Sequence, residues 1–168
     1  MKTRIILLAV AVIMAATMTA CGIYSFTGAS YGTAKTVSVD FFQNRSSYVN
    51  PTLSSKVTED LKNRFMSQTP LALVTQGGDL HFEGAITGYT ISTADIKAGE
   101  RAANNRLTIT LKVTFTNQTA PENDFDQTYT RYADYSVSQS FASVESTLVE
   151  QIVEELINDI FNDSVVNW

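Results

Sequence analysis

The chain of 168 residues has one cysteine, Cys21, and one histidine, His81. A single thiol closes no internal disulfide, so packing alone must hold the fold together. With no second histidine and no free thiolate to join it, His81 reads as a surface residue, and neither a metal site nor a cysteine–histidine pair is expected. Basic residues are also scarce, twelve against seventeen acidic. That balance speaks against nucleic acid or an anionic lipid surface as the main partner, because phosphate binding draws on clustered Lys and Arg. The G-x-S-x-G elbow, the phosphate loop and the HExxH helix are all missing. Carboxylates such as Glu150 and Glu154 fall on the wet side of an amphipathic pattern, where acid–base work is not expected. The composition thus points to binding rather than catalysis.

What is present begins around the cysteine. Lys2 and Arg4 precede an apolar run from Ile5 to Ala16, and Met18-Thr19-Ala20-Cys21-Gly22 follows, the layout of a secretory signal ending in a lipobox. The apolar run is shorter than the ~20 residues a spanning helix needs. Cleavage before Cys21 is expected, its thiol taking a diacylglyceryl group and its freed amine a further acyl chain. Each buried methylene adds ~0.8 kcal/mol of membrane affinity and stable anchoring takes two chains, so this lipid suffices as the anchor. No other cofactor is implied. Loss of Lys2 and Arg4 leaves ten basic against seventeen acidic residues, a net charge of minus seven. Gly22, Ile23, Tyr24 and Ser25 are uncharged, which by analogy with lipoprotein sorting favours the outer membrane, periplasmic side. The expected organisation is a signal peptide over 1–20, a Gly- and Ser-containing tether over 21–34, and one domain over 35–168.

Within that domain, Thr36-Val37-Ser38-Val39-Asp40-Phe41 alternates, predicting a half-buried strand with Val37, Val39 and Phe41 inward. Asn50 as N-cap and Pro51 in the first turn predict a helix start, and Leu53, Val57, Leu61 and Phe65 recur every four residues until Thr69-Pro70. A short extended piece, Leu71 to Val74, leads through Gly77-Gly78 into a second strand, Asp79 to Ser92. Its apolar face switches from Leu80, Phe82 and Ile86 to Tyr89 and Ile91, with Gly84 and Gly88 inside, so a bend is expected. Residues 94–105 read as a long hairpin loop. Strand three alternates cleanly from Leu107 to Phe115, its other face carrying Thr108, Thr110, Lys112, Thr114 and Thr116. A fourth strand runs from Phe125 to about Val137, sharing Phe125, Tyr129, Ala133 and Tyr135 on one face. After Ser143 as N-cap, a broad apolar stripe from Val144 to Phe161 predicts the last helix. The expected fold is α+β, a two-layer sandwich with a mainly antiparallel four-stranded sheet and two helices on one face, in the order β-α-β-β-β-α.

This order behind a lipobox resembles the lipopolysaccharide-assembly lipoprotein family LptE, in its Bacteroidetes form. The stretches that carry the resemblance are Cys21-Gly22-Ile23-Tyr24-Ser25-Phe26-Thr27-Gly28, Val39-Asp40-Phe41-Phe42-Gln43-Asn44-Arg45, Val49-Asn50-Pro51-Thr52-Leu53-Ser54, Gly77-Gly78-Asp79-Leu80, Asn105-Arg106-Leu107-Thr108-Ile109, Arg131-Tyr132-Ala133-Asp134-Tyr135 and Val165-Val166-Asn167-Trp168. It implies an outer-membrane component of the lipopolysaccharide transport translocon that binds and plugs an LptD-type β-barrel, assists lipopolysaccharide insertion, and catalyses nothing. A free-standing periplasmic lipoprotein that binds a glycan or small ligand is the alternative.

Two groups of side chains are candidates for contact. Lys97, Arg101 and Arg106 form a basic cluster on a strongly acidic protein, suited to lipid phosphates because the Arg fork bonds two oxygens at once. A solvated hairpin tip with Asp95 and Glu100 as partners fits the same residues. Arg131, Tyr132 and Tyr135 are candidate partner anchors, Arg131 and Tyr135 pointing one way and Tyr132 the other; a tyrosine-lined core edge fits them equally. The threonines of strand three suit a polar barrel lumen and also follow plain strand propensity.

Overall fold

In the computed structural model, which describes residues 32–48, 50–94 and 104–165, the alternation of Thr36-Val37-Ser38-Val39 forms β1 (Thr36–Val39), with Val37 and Val39 buried. β1 runs parallel to β4 (Leu80–Thr93), Val37 opposite Leu80 and Val39 opposite Phe82. The same edge of β4 then takes up β2 (Gln43–Asn44), Gln43 opposite Ala85. Between the two pieces the pairing slips by one residue, a bulge that reverses which face the chain presents. Phe41 is therefore 59% exposed and Phe42 is the residue at 0%, which corrects the expectation that Phe41 points inward. The N–H of Phe42, freed from the ladder, donates to Thr58 Oγ1 at 3.1 Å. Thr58 in turn donates to the Ser54 carbonyl, so the bulge meets no unpaired group on the helix beneath it.

Gly84 makes room for this arrangement. A Cβ at that position would lie 2.6 Å from the Phe42 ring and 2.5 Å from the Lys112 carbonyl. Glycine here lets the aromatic ring lie directly on the sheet.

The first helix, α1 (Leu53–Gln68), buries Leu53, Val57, Leu61 and Phe65 as their spacing predicts. It starts later than Asn50: Thr52 occupies the cap position with no side-chain cap bond. Asn50 instead accepts from the Thr52 N–H at 3.0 Å and closes the Pro51 turn ahead of the helix. Thr69 ends α1, its hydroxyl donating to the Phe65 carbonyl at 2.7 Å. The chain crosses back to lay β3 (Ala72–Leu73) parallel to the far side of β1. Gly77, at φ +68, then turns it toward β4. There Asp79 Oδ2 accepts from the Lys35 and Thr36 N–H groups at 2.7 and 3.0 Å, while Thr36 Oγ1 accepts from the Asp79 N–H at 2.9 Å. This reciprocal clasp fixes the start of β1, and Gly78 has no room for a Cβ, which would meet Ser38 N at 2.6 Å.

β4, β5 (Asn104–Asn117) and β6 (Phe125–Ser136) form a long antiparallel meander. The expected bend in β4 lies between Ile86 and Gly88, where the register shifts and the buried face passes to Tyr89. Ile91, expected inward with Tyr89, is 46% exposed. The last helix, α2 (Phe141–Val165), begins ahead of Ser143, whose hydroxyl donates to the Ser140 carbonyl within the opening turn.

Among the described residues the sheet has six strands in the order β3-β1-β4-β5-β6, with β2 on β4. The four-stranded, mainly antiparallel expectation is thereby corrected to a six-stranded mixed sheet. β2 and β3 are two residues each, too short for alternation to register, and their parallel pairing arises because α1 carries the chain back along the sheet. Both helices pack on one face. A chain of rings crosses the core, Phe161 to Phe65 at 5.1 Å, Phe65 to Phe82 at 5.0 Å, and Phe82 to Phe115 at 4.7 Å. Among the described residues no helix is long and apolar enough to cross a membrane.

Candidate functional site

Among the described residues no helix lies on one face of the sheet, and the side chains that alternate out of the core lie on it. On β5 the buried Leu107, Ile109, Leu111, Val113 and Phe115 leave Thr108, Thr110, Lys112, Thr114 and Thr116 outward. Cross-strand pairs fix several of them: Thr110 Oγ1 lies 3.2 Å from Thr130 Oγ1, and Lys112 Nζ lies 3.1 Å from Asp126. At the end of this face nearest the β4–β5 hairpin, Arg106 donates from Nε and a terminal nitrogen to the two Asp134 oxygens at 2.7 and 2.9 Å. Its guanidinium carbon lies 3.7 Å over the centre of the Tyr132 ring. The planar fork thus meets a carboxylate edge-on and an aromatic face flat-on, a combination an ammonium cannot make.

The candidate contact residues therefore separate. Lys97 and Arg101 lie outside the described residues, as do Cys21 and Trp168. Arg106 and Tyr132 come together on the uncovered face, where Tyr132 is 51% exposed. Arg131 and Tyr135 lie on the helix side. Arg131 bonds both oxygens of Asp159 on α2, at 2.6 and 2.7 Å, and that hydrogen-bonded carboxylate holds the guanidinium pKa above its ordinary value. Tyr135 is buried, its ring 5.8 Å from Phe141. Strand parity had put these two on one face; which face the helices cover was the missing information.

Under the helices, two tyrosines tie the layers together. The Tyr89 hydroxyl donates to Glu145 Oε1 at 2.6 Å, and Asn50 Nδ2 donates to the same oxygen at 2.9 Å. The Tyr129 hydroxyl donates to Asp163 at 3.0 Å. Burial, and then the neighbouring carboxylate, raises both phenol pKa values well above the usual tyrosine range. Tyr129 and Asp163 also line an open groove of about 610 Å³ between β6 and α2, together with Arg131 and Asp159.

His81 also lies on the uncovered face, and its surroundings differ from the isolated residue the sequence suggests. Ser38 Oγ is 2.8 Å from its Nδ1, and Asp40 Oδ2 is 3.8 Å from its Nε2. One ligand atom each from Asp40, His81 and Glu83 lie within 4.8 Å of one another. The spacing of His81 and Glu83, two apart on one strand, was visible in the sequence; Asp40 joins them only through the parallel β1–β4 register. Beside them runs an open polar groove of about 340 Å³, lined by Asp40, Phe41, Arg45, Glu83 and Lys112 among others.

Several solved structures share this fold. A minor lipoprotein from Acinetobacter baumannii is 14% identical with a TM-score of 0.51, covering 77% of this chain and 91% of its own. A hypothetical protein from Chlamydia trachomatis is 8% identical with a TM-score of 0.53, covering 78% and 98%. A neuraminyllactose-binding hemagglutinin homolog from Helicobacter pylori is 8% identical with a TM-score of 0.51, covering 78% and 83%. At these identities the likeness is one of fold alone. No curated protein matches the sequence. Residues 34–164, from the edge of β1 to the end of α2, match the family model described as lipopolysaccharide-assembly, LptE. The chain belongs to the LptE family of lipopolysaccharide-assembly proteins.

Proposed function

We propose that this chain is anchored in the outer membrane through acyl chains on Cys21, faces the periplasm, and docks in an LptD-type β-barrel as a partial plug while lipopolysaccharide is inserted. Residues 1–20 act as the signal that is removed and residues 21–34 as the tether. The observation that carries the reading is the family match over residues 34–164. LptE-family members are non-catalytic lipoproteins that assemble with LptD to insert lipopolysaccharide. The uncovered sheet face supports it further. It offers threonine hydroxyls that donate and accept, with charges already paired, as at Lys112–Asp126 and Arg106–Asp134. At those two pairs the face meets a polar lumen wall without burying an unpaired ion. Arg106 and Tyr132 form the part of it nearest the hairpin that carries Lys97 and Arg101, which we assign to lipopolysaccharide phosphates.

The test has two arms. In cells, metabolic palmitate labels the full chain and Cys21→Ala abolishes both label and envelope association; an unlabelled chain sinks the anchor. A photo-crosslinking residue at Thr110, on the uncovered face, yields an adduct with the barrel protein, and one at Glu154, on the solvent side of α2, does not. Equal crosslinking from the two positions refutes docking through the sheet face.

A further inference from the structure

We propose that Asp40, His81 and Glu83 bind a divalent transition-metal ion, of which Zn²⁺ is the best match. The inference is independent of barrel docking.

The parallel register brings Ser38 opposite His81, and the Asp40 N–H donates to the Phe82 carbonyl at 2.9 Å, which sets Asp40 beside Glu83 on the uncovered face. The three ligand atoms lie within 4.8 Å of one another. Between His81 Nε2 and Asp40 Oδ2 the distance is 3.8 Å, too long for a hydrogen bond. It is close to the roughly 3.4 Å that separates two ligands on a tetrahedral Zn²⁺ with bonds of about 2.1 Å. A small rotation of an exposed carboxylate closes the difference.

The imidazole is already held by its other nitrogen. Ser38, fully buried, has its Oγ 2.8 Å from Nδ1, and that oxygen also accepts the Gly78 N–H at 3.0 Å. In the tautomer that donates Nδ1–H to this oxygen, the one a bound metal selects, the Nε2 lone pair faces Asp40. A ligating histidine oriented through its second ring nitrogen is the usual arrangement at metal sites. Among the described residues neither carboxylate pairs with a Lys or Arg, and the one basic group set against Asp40 is His81 itself. Lys112 in the same groove is taken up by Asp126, and Arg45 makes no ion pair with either Asp40 or Glu83. Two carboxylates and one neutral imidazole carry the charge that a divalent ion cancels, and one nitrogen with two oxygens favours Zn²⁺ over Mg²⁺ or Ca²⁺. Water completes the coordination. The ion joins β1, four residues long, to the central β4.

The experiment titrates ZnCl2 into the full-length chain in detergent, without a polyhistidine tag. His81 is the sole histidine, so its imidazole resonance reports on the site without ambiguity. We expect a saturable shift of that resonance, one ion per chain by calorimetry, and a thermal midpoint raised by Zn²⁺. Glu83→Gln and Asp40→Asn, both at exposed carboxylates, each weaken binding at least tenfold and remove the thermal response; MgCl2 produces neither effect. His81→Ala abolishes binding; should that variant fail to fold, the two carboxylate variants decide. No saturable His81 shift, or Zn²⁺ binding unchanged in Glu83→Gln, overturns the site.

Discussion

The ring of Phe42 occupies the space that a side chain at Gly84 would fill, 2.6 Å from where its Cβ would stand. The bulge that turns Phe42 inward and the glycine that receives it are two halves of one device. Gly84→Ala should destabilise by about 1–3 kcal/mol through overpacking. Phe42→Ala should destabilise by about 3–5 kcal/mol through the cavity it leaves. Because the Lys112 carbonyl still crowds the new methyl, the double variant should recover only part of the sum. Urea unfolding of the four proteins measures the coupling.

Arg131 and Asp159 strap the edge strand β6 to α2 across partly exposed surface. Exposed ion pairs are worth about 0.2–1 kcal/mol, so Arg131→Ala should lower stability by no more than that. It should also leave recovery of an LptD-type barrel with this chain unchanged, since the side chain is on the helix face. Co-purification at reduced amount would return Arg131 to the partner surface.

Tyr89 and Tyr129 should ionise far later than an ordinary tyrosine as pH rises, because burial and the carboxylates of Glu145 and Asp163 oppose a phenolate. Their pKa values are raised in the folded chain, so the stability they contribute is fully present below the unfolded value of about 10 and is lost as pH climbs beyond it. Ultraviolet absorbance should show a late tyrosinate phase that coincides with unfolding. Tyr89→Phe and Tyr129→Phe should each remove part of it, and Tyr89→Phe should cost about 1–3 kcal/mol at neutral pH.

Asp79 behaves in the opposite sense. The Lys35 N–H, then Thr36, hold its carboxyl below the usual carboxylate value. Its contribution is therefore present above about pH 4 and fades as pH falls through the depressed folded value. Hydrogen exchange at the Lys35 and Thr36 amides should quicken at low pH, and in Asp79→Ala at neutral pH. Unchanged exchange in that variant would mean the clasp does not hold β1.

Where a face is half buried, period alone locates the element. β5 shows this most clearly, its five apolar residues inward and its threonines outward, and α1 and α2 follow from four-residue spacing in the same way. Phe41, Ile91 and the capping role of Asn50 were misread for one shared reason: each depends on a neighbour far along the chain. The bulge at Phe42 is stabilised by Thr58 and Gly84, Ile91 is left 46% exposed near the end of β4, and Asn50 is drawn to Glu145. The family resemblance was legible in scattered short stretches. Of the candidate contact residues, pattern placed Arg131 opposite Tyr132, but whether either was free required knowing where α2 lies.

The sequence by itself determined the long elements, the two-layer α+β plan and the absence of disulfide support, because these follow from composition and from periods of two and nearly four residues. Tertiary structure alone decided the six-stranded mixed order, the pairing of Arg131 with Asp159, and the meeting of Asp40, His81 and Glu83. Local periodicity states which side chains share a face. Only the register between strands distant in sequence states what they face.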